Sequence, residues 1–383
     1  MSSDLGNAAA AVQSVIDRTV REGTESGIQV AAYVEDTLIV DAYAGWADVE
    51  ARIGVDGTTL FNVYSVTKAV AATALHLQAE RGLIDYAAPL ARYWPEFASN
   101  GKADITVHHV LTHRSGVFAM PPQVTPERMS DWDWMVREIA AARPAFPAGT
   151  RSSYQSLTFG WLVGELVRRT DPEHRPFGRF VQDEIAAPLG ITDLWIGIPA
   201  EVEPRVAKLY DGVPTPYPDN SLYRVACPKQ VDLCAAVFSR PDVRRACIPG
   251  VGGIFNARSI ARFYAMLANG GRLDGTRLLS ADRVRTFSQP RPHPEEPDPV
   301  FFGITVPIGV GGYWLGGPNP PVCAVGNPRA LCHPGMGGSI AWADPERRLA
   351  VGICHNLSFT ARSPSQDRML PIASALRSAL GLE

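Results

Sequence analysis

Segments that favour β-strands lie at both ends of this 383-residue chain, and the middle has almost none. Near the start, residues 27–34 and 37–44 are strand-like, and the two residues between them predict a hairpin. Further strand-like runs come late in the chain, at residues 301–307, 338–343 and 349–355. Because the strands are split in this way, we expect the two ends to build one sheet and the middle to form a helical lobe.

Helical periodicity places helices around and between these strands. Segment 3–21 has apolar residues at helical spacing, and segment 65–80 is apolar nearly all round and precedes Gly82, a residue type that ends helices. Shorter helices are predicted at residues 107–113, 126–142, 157–169, 177–187, 259–269, 281–288 and 365–380. These patterns predict an α/β domain formed by residues 1–83 and 250–383, a mainly helical lobe at 84–249, and a cleft between them. Within the lobe, residues 211–249 are rich in proline, carry three cysteines and are predicted to form an ordered excursion.

The charge balance argues against several classes of partner. Thirty-six basic and 39 acidic side chains give a net charge of −3 without a run of like charges, so neither nucleic acid nor an anionic membrane is expected. The chain has no apolar stretch long enough to span a membrane and no secretory signal pattern, which predicts a cytoplasmic protein with a small-molecule partner. All six cysteines follow Ala226 without zinc-ligand spacing, so we expect free thiols, no metal and no cofactor.

Lysine is rare in this chain, which has four lysines against 32 arginines. Lys68 nevertheless lies in the predicted buried helix, three residues after Ser65, so that the two side chains share one helix face. Burial lowers the pKa of an ammonium group, and a neutral lysine can accept the proton of a serine nucleophile. The alternative is a lysine that reaches the surface from a packed helix. A second pair at the same spacing, Ser99 and Lys102, lies in a polar turn, where we expect a solvated lysine and an unactivated serine.

Four segments of the chain together resemble one enzyme superfamily. Segment 61–68 (Phe-Asn-Val-Tyr-Ser-Val-Thr-Lys) resembles the first motif, S-x-x-K, of the serine β-lactamases and penicillin-binding proteins. Segments 109–116, 147–156 and 333–339 are similar to the further motifs of its class C-like branch, and they follow in the same order. The resemblance implies a class C β-lactamase-like fold, in which an antiparallel sheet is flanked by helices and carries an inserted helical lobe. The G-x-S-x-G motif of α/β-hydrolases does not occur.

The resemblance also implies roles for individual residues. Ser65 matches the acylated nucleophile, Lys68 its partner and Tyr154 the tyrosine that shuttles the proton with the lysine. A tyrosine can shuttle a proton if a nearby ammonium group favours its phenolate form. The alternative is a purely structural, hydrogen-bonded core tyrosine. The backbone N–H groups of Ser65 and Met336 match the oxyanion hole. The glycines beside Met336, among them Gly335 and Gly337, would let the backbone approach a substrate, unless they only form a tight hairpin.

Two positions depart from the pattern of the antibiotic hydrolases. The second motif ends in Ser156 instead of Asn, and the third begins with His333-Pro334 instead of Lys-Thr. His333 is either a neutral hydrogen-bond donor in the substrate pocket or a packed histidine. Such replacements are common among the esterase relatives, so the resemblance predicts a carboxylesterase acting on small-molecule esters through a Ser65 acyl-enzyme. The alternatives are an acyltransferase using an alcohol or amine, a β-lactamase, a D-amino-acid peptidase or amidase, and a non-catalytic scaffold. The oligomeric state is not predicted.

Overall fold

The secondary structure of the chain is known from a computed structural model that describes residues 2–213 and 217–382. The α-helices are α1 Ser2–Arg21, α2 Thr67–Glu80, α3 Val107–Leu111, α4 Pro126–Ser130, α5 Trp132–Ala141, α6 Thr158–Thr170, α7 Phe177–Val181, α8 Leu222–Ala226, α9 Ala235–Phe238, α10 Pro241–Arg245, α11 Ala257–Ala268, α12 Ala281–Phe287 and α13 Met369–Ala379. The strands are β1 Gly27–Val34, β2 Thr37–Asp48, β3 Ile53–Gly54, β4 Phe61–Asn62, β5 Leu194–Ile196, β6 Gly253–Phe255, β7 Arg272–Leu273, β8 Thr276–Arg277, β9 Pro297–Asp298, β10 Ile304–Thr305, β11 Trp314–Leu315, β12 Leu331–Pro334, β13 Ile340–Asp344 and β14 Leu349–His355. Short 3-10 helices cover Leu90–Arg92, Pro95–Gly101, Ala200–Arg205, Lys229–Val231 and Pro364–Gln366, and Gln182–Ala186 is a π-helical turn.

Strands from both ends of the chain form one seven-stranded antiparallel sheet, in the order β11-β12-β13-β14-β1-β2-β3. The first strand lies beside the last, with Ala31 opposite Gly352. The predicted hairpin is also present, because β1 pairs with β2 across the turn at Glu35 and Asp36. The predicted α/β architecture with an antiparallel sheet is therefore confirmed.

Alternation along β1 explains why helices cover both faces of this sheet. Ile28, Val30 and Ala32 belong to a core shared with α1 and α13, which lie on one face. Ala31 and Tyr33 belong to the core on the other face, where α11 packs against β1 and β14. At β1 both faces of the sheet are thus removed from water, which accounts for the almost continuous burial of this strand.

A smaller sheet in the order β4-β6-β5 leads into the helical middle of the chain. Its strand β4 ends at Asn62, and the chain then turns into α2, which packs against α6, α7 and β12. Strand β5 lies in the segment where strand signals are weakest, and it was not predicted. The proposed division into 1–83 plus 250–383 and 84–249 stays a prediction, although the large sheet does draw its strands from both ends.

The prediction of a strand at residues 301–307 is wrong for most of these residues. Only Ile304–Thr305 is a strand, and it pairs with β9. Phe302 and Gly303 have positive φ angles of 56° and 81°, which interrupt an extended backbone. The excursion at residues 211–249 contains α8, α9, α10 and one 3-10 helix, so its described part is ordered as predicted.

The structure also bears on membrane-spanning helices, cysteines and metal sites. Within the described ranges, none of the helices is long and apolar enough to cross a membrane. All six cysteines are free thiols, four of them buried and two half-buried. Residues 2–213 and 217–382 contain no group of three His, Cys, Asp or Glu side chains placed to hold a metal ion.

Candidate active site

Ser65 lies in the tight turn that joins β4 to α2. The preceding residue, Tyr64, has a positive φ of 46°, and the backbone N–H of Lys68 donates to the Ser65 carbonyl over 3.0 Å. The α-helix itself begins at Thr67, two residues later than the sequence predicts for a helix starting at Ser65. Ser65 is 7% exposed, so its hydroxyl is close to the surface but largely enclosed.

Lys68 is fully buried, and its Nζ has three oxygen neighbours. They are Ser65 Oγ at 2.9 Å, the Ser156 carbonyl at 2.7 Å and the Gly250 carbonyl at 2.9 Å. Burial lowers the pKa of Lys68 well below its ordinary value, against a small opposing effect of Cys227. Since carbonyl oxygens only accept, a neutral amine would give its two N–H groups to them and turn its lone pair toward Ser65. The structure thus brings the buried lysine and the serine together as the sequence predicts, and burial favours the neutral amine.

Tyr154 is enclosed by rings and lies over the same lysine. Its ring centroid is 5.2 Å from Lys68 Nζ, the His113 ring stacks on it at 4.6 Å, and Phe301 and Trp314 meet it edge-on at 4.9 and 5.6 Å. Burial raises the pKa of Tyr154, although the nearby Ser65 hydroxyl acts to lower it. Burial thus favours the protonated phenol of Tyr154 and the neutral amine of Lys68, and the role of Tyr154 as a proton shuttle stays a prediction.

Close packing of two glycines, Gly160 and Gly250, brings the Gly250 carbonyl to Lys68 Nζ. A Cβ at Gly160, in α6, would lie 2.1 Å from the backbone nitrogen of Gly250, and a Cβ at Gly250 would lie 2.7 Å from the Leu157 carbonyl. Neither position can hold a larger residue without a backbone shift. Sequence reasoning missed the roles of the Ser156 and Gly250 carbonyls, since a backbone acceptor has no side-chain signal. The side-chain Oγ of Ser156 is buried and has no hydrogen-bond partner in the described part of the chain.

The third motif forms the turn between β12 and β13, and this turn lies against the nucleophile segment. A Cβ at Gly335 would lie 2.3 Å from the Val63 carbonyl, two residues before Ser65. The Gly335 N–H donates to the Ser339 carbonyl over 2.6 Å, and the Gly337 carbonyl accepts from the Phe359 N–H over 2.9 Å. Both glycines are therefore packed against protein backbone. Met336 between them is half-buried, and its N–H as an oxyanion donor stays a prediction.

His333 is fully buried near the end of β12. Its Nδ1 is 2.9 Å from the Pro334 carbonyl, which only accepts, so the proton is on Nδ1. Burial, helped by the proximity of Lys68, lowers the pKa of His333 well below its usual value and keeps the ring neutral. Nε2 is then an acceptor, and among the described residues it has no partner. His333 as a residue of the substrate pocket stays a prediction.

The second S-x-x-K pair differs from expectation in one respect. Lys102 is fully buried instead of solvated, and its Nζ donates to the carbonyls of Ser99, at 2.7 Å, and Ala142. Ser99 Oγ donates to the Ala140 carbonyl over 2.7 Å and does not contact Lys102 Nζ. The spacing of residues is thus the same as at Ser65, yet the Ser99 hydroxyl bonds to a backbone carbonyl and the lysine does not activate it.

Comparisons with known proteins agree with this fold. The profile of the family described as Beta-lactamase matches residues 13–375. Esterase/beta-lactamase LipL of Mycobacterium tuberculosis is 33% identical over 345 residues, which cover 86% of this chain and 77% of that protein. The crystal structure of a family VIII carboxylesterase superposes with a TM-score of 0.88 at 31% identity, covering 97% of both chains. A penicillin-binding protein homolog from Caulobacter crescentus gives a TM-score of 0.86 at 31% identity, covering 97% of this chain and 98% of that one.

Fold and sequence together thus define a class C β-lactamase-like protein. The profile covers nearly the whole described chain, including the segments that carry Ser65, Tyr154 and His333. The chain belongs to the Beta-lactamase family.

Proposed function

We propose that this protein is a serine hydrolase that cleaves carboxylic esters of small molecules through an acyl-enzyme on Ser65. The observation that carries the proposal is the 2.9 Å contact between Ser65 Oγ and the buried amine of Lys68, whose pKa burial lowers. The names of two similar proteins, an esterase/beta-lactamase and a family VIII carboxylesterase, support ester hydrolysis as the reaction.

Acylation begins with the transfer of a proton from Ser65 to Lys68. The lone pair of the neutral amine accepts that proton while Ser65 Oγ attacks the ester carbonyl. The carbonyls of Ser156 and Gly250, already bonded to Nζ, stabilise the ammonium ion that results. The oxyanion formed on the substrate would be held by the backbone N–H groups of Ser65 and Met336.

Tyr154 then supplies the proton for the leaving alcohol. Because burial keeps its phenol protonated, Tyr154 is a donor in the resting site, and it can regain a proton from the Lys68 ammonium 5.2 Å from its ring. In the second step water replaces the alcohol, attacks the acyl-enzyme and releases the acid. An alcohol or amine in place of water would make the same site an acyltransferase.

The proton arrangement of His333 favours esters over β-lactams. β-Lactams carry a carboxylate, and the acceptor Nε2 of His333 and the N–H-free Pro334 give that anion no donor. Each charge-assisted hydrogen bond lost costs about 1.5–3 kcal/mol, so two such losses lower kcat/KM for β-lactams by about 10² to 10⁴. A neutral ester avoids this penalty.

The test compares kcat/KM for p-nitrophenyl butyrate with that for nitrocefin and a cephalosporin on one preparation. We expect fast turnover of the ester and slow turnover of both lactams. Comparable values, or faster lactam turnover, would refute the substrate class and favour a β-lactamase. Added acceptor alcohols distinguish hydrolysis from acyl transfer, and absence of labelling by a fluorophosphonate would indicate a non-catalytic scaffold.

A further inference from the structure

A buried polar cluster lies behind the segment that carries Tyr154. Its centre is the hydroxyl of Ser152, which donates to Asp298 Oδ2 over 2.5 Å and accepts from Arg291 Nη1 over 2.6 Å. All three side chains are at most 1% exposed. The Ser152 backbone N–H also donates to Glu296, over 3.1 Å, and Glu296 forms an ion pair with Arg114. Ser152 is thus held at both its backbone and its side chain.

Through its three members this cluster joins the segments that enclose Tyr154. Arg291 Nη1 also donates to the Thr112 carbonyl over 3.3 Å, and the next residue, His113, stacks on the Tyr154 ring. Asp298 Oδ1 accepts from the backbone N–H groups of Val300 and Phe301, at 2.9 and 3.4 Å, and Phe301 meets the ring edge-on at 4.9 Å.

Ser152 itself is two residues before Tyr154, and the intervening residue is tied to the histidine. The Ser153 N–H donates to the His113 carbonyl over 2.9 Å, and the Gln155 N–H donates to His113 Nδ1 over 3.0 Å. The backbone on both sides of Tyr154 is therefore fixed to the residue that stacks on its ring. The hydroxyl of Ser153, in contrast, is buried without a hydrogen-bond partner within the described ranges.

We propose that Ser152, bridging Arg291 and Asp298, is a positioning residue that holds Tyr154 where its phenol can protonate the leaving group. The bridge sets the separation of the segments that carry His113, Tyr154 and Phe301. A small displacement of a general acid lowers the reaction rate steeply. This inference rests on the proposed role of Tyr154 as proton donor.

The test uses the dependence of acylation on the leaving group, which a purely structural role would not change. A p-nitrophenolate leaves without a proton, whereas an alkoxide needs one, so kcat/KM for ethyl butyrate depends on Tyr154 far more than kcat/KM for p-nitrophenyl butyrate. We expect S152A to lower the ethyl-to-p-nitrophenyl ratio by about 10-fold to 100-fold. We expect S153A, which removes the neighbouring unpartnered hydroxyl, to leave the ratio unchanged, and S152T, which keeps the hydroxyl, to restore most of it.

A double-mutant cycle separates this proposal from the proposed function. In a Y154F background, S152A should cause no further change in the ratio, because the donor it positions is gone. Asp298→Asn, which keeps the shape of the side chain, should repeat the S152A pattern if S152A proves unstable. A ratio unchanged by S152A and D298N, or a further drop in Y154F, would overturn the positioning role alone. A normal ratio in Y154F itself would overturn the donor role of Tyr154 and this inference with it.

Discussion

Two buried lysines follow a serine at the same spacing, but their surroundings give them different roles. Lys68 and Lys102 each follow a serine by three positions, and both are fully buried. Lys68 contacts the serine hydroxyl, whereas Lys102 contacts the carbonyl of its serine. The same sequence pattern therefore gives a candidate base at one site and a structural anchor at the other.

Activity should rise with pH through the lowered pKa of Lys68. Only the neutral amine can accept the Ser65 proton, so kcat/KM is low where Lys68 is protonated and reaches a plateau above its folded-state pKa. Lys68→Arg should abolish turnover at every pH, because a guanidinium does not lose its proton. A profile that falls as pH rises, or an active Lys68→Arg variant, would contradict the role.

Lys102 should instead contribute to the pH dependence of stability. Burial lowers its pKa from 10.5 to about 8, so the unfolded chain binds more protons between these values. The free energy of unfolding should therefore rise with pH across this window, by up to about 3 kcal/mol, and Lys102→Met should lose this rise. Urea denaturation of both proteins at a series of pH values measures it, and an identical slope would argue against the shift. Ester turnover should be retained in Lys102→Met.

At the scale of elements, the approach of α6 to the segment before β6 fixes the orientation of Lys68. Gly250→Ala would place a methyl group 2.7 Å from the Leu157 carbonyl and push the Gly250 carbonyl away from Nζ. We expect kcat for p-nitrophenyl butyrate to fall by about 10-fold or more, since misplaced catalytic groups lose rate steeply. Gly54→Ala is the matched control and should behave as wild type, because its methyl group would lie 3.9 Å from the Gly45 carbonyl oxygen, an ordinary contact. Equal rates in the two variants would exclude the Gly250 carbonyl from the site.

The sequence predicted the elements that carry strong local signals and missed the features set by tertiary contact. The buried helix α2 and the pair Ser65 and Lys68 follow from apolar periodicity and spacing. The Gly250 carbonyl could not be predicted, because it comes from 182 residues further along and is a backbone group.

Two local expectations were wrong for reasons of tertiary contact and backbone conformation. The polar turn around Lys102 suggested a solvated side chain, but Lys102 is buried and bonds to the distant Ala142 carbonyl. Residues 301–307 looked like a strand because their composition conceals the positive φ angles at Phe302 and Gly303.

For the whole molecule, the pairing of the first and last strands joins the two ends of the chain. β1 lies between β2 and β14, so it cannot separate without breaking two ladders. We expect the amides of residues 27–34 and 349–355 to exchange slowest and together, at a free energy near that of global unfolding. The short helices α8, α9 and α10 should exchange sooner. Hydrogen-exchange mass spectrometry measures both, and exchange of residues 27–34 before residues 222–245 would contradict this account.

The central claim, that Ser65 is the nucleophile, is tested most directly by mapping a covalent adduct. The protein is treated with a fluorophosphonate and digested, and the modified peptide is identified by mass spectrometry. We predict one adduct, on the peptide containing Ser65, that is absent in Ser65→Ala and retained in Ser99→Ala. An adduct on Ser99 or Ser115, or labelling that persists in Ser65→Ala, would contradict the account.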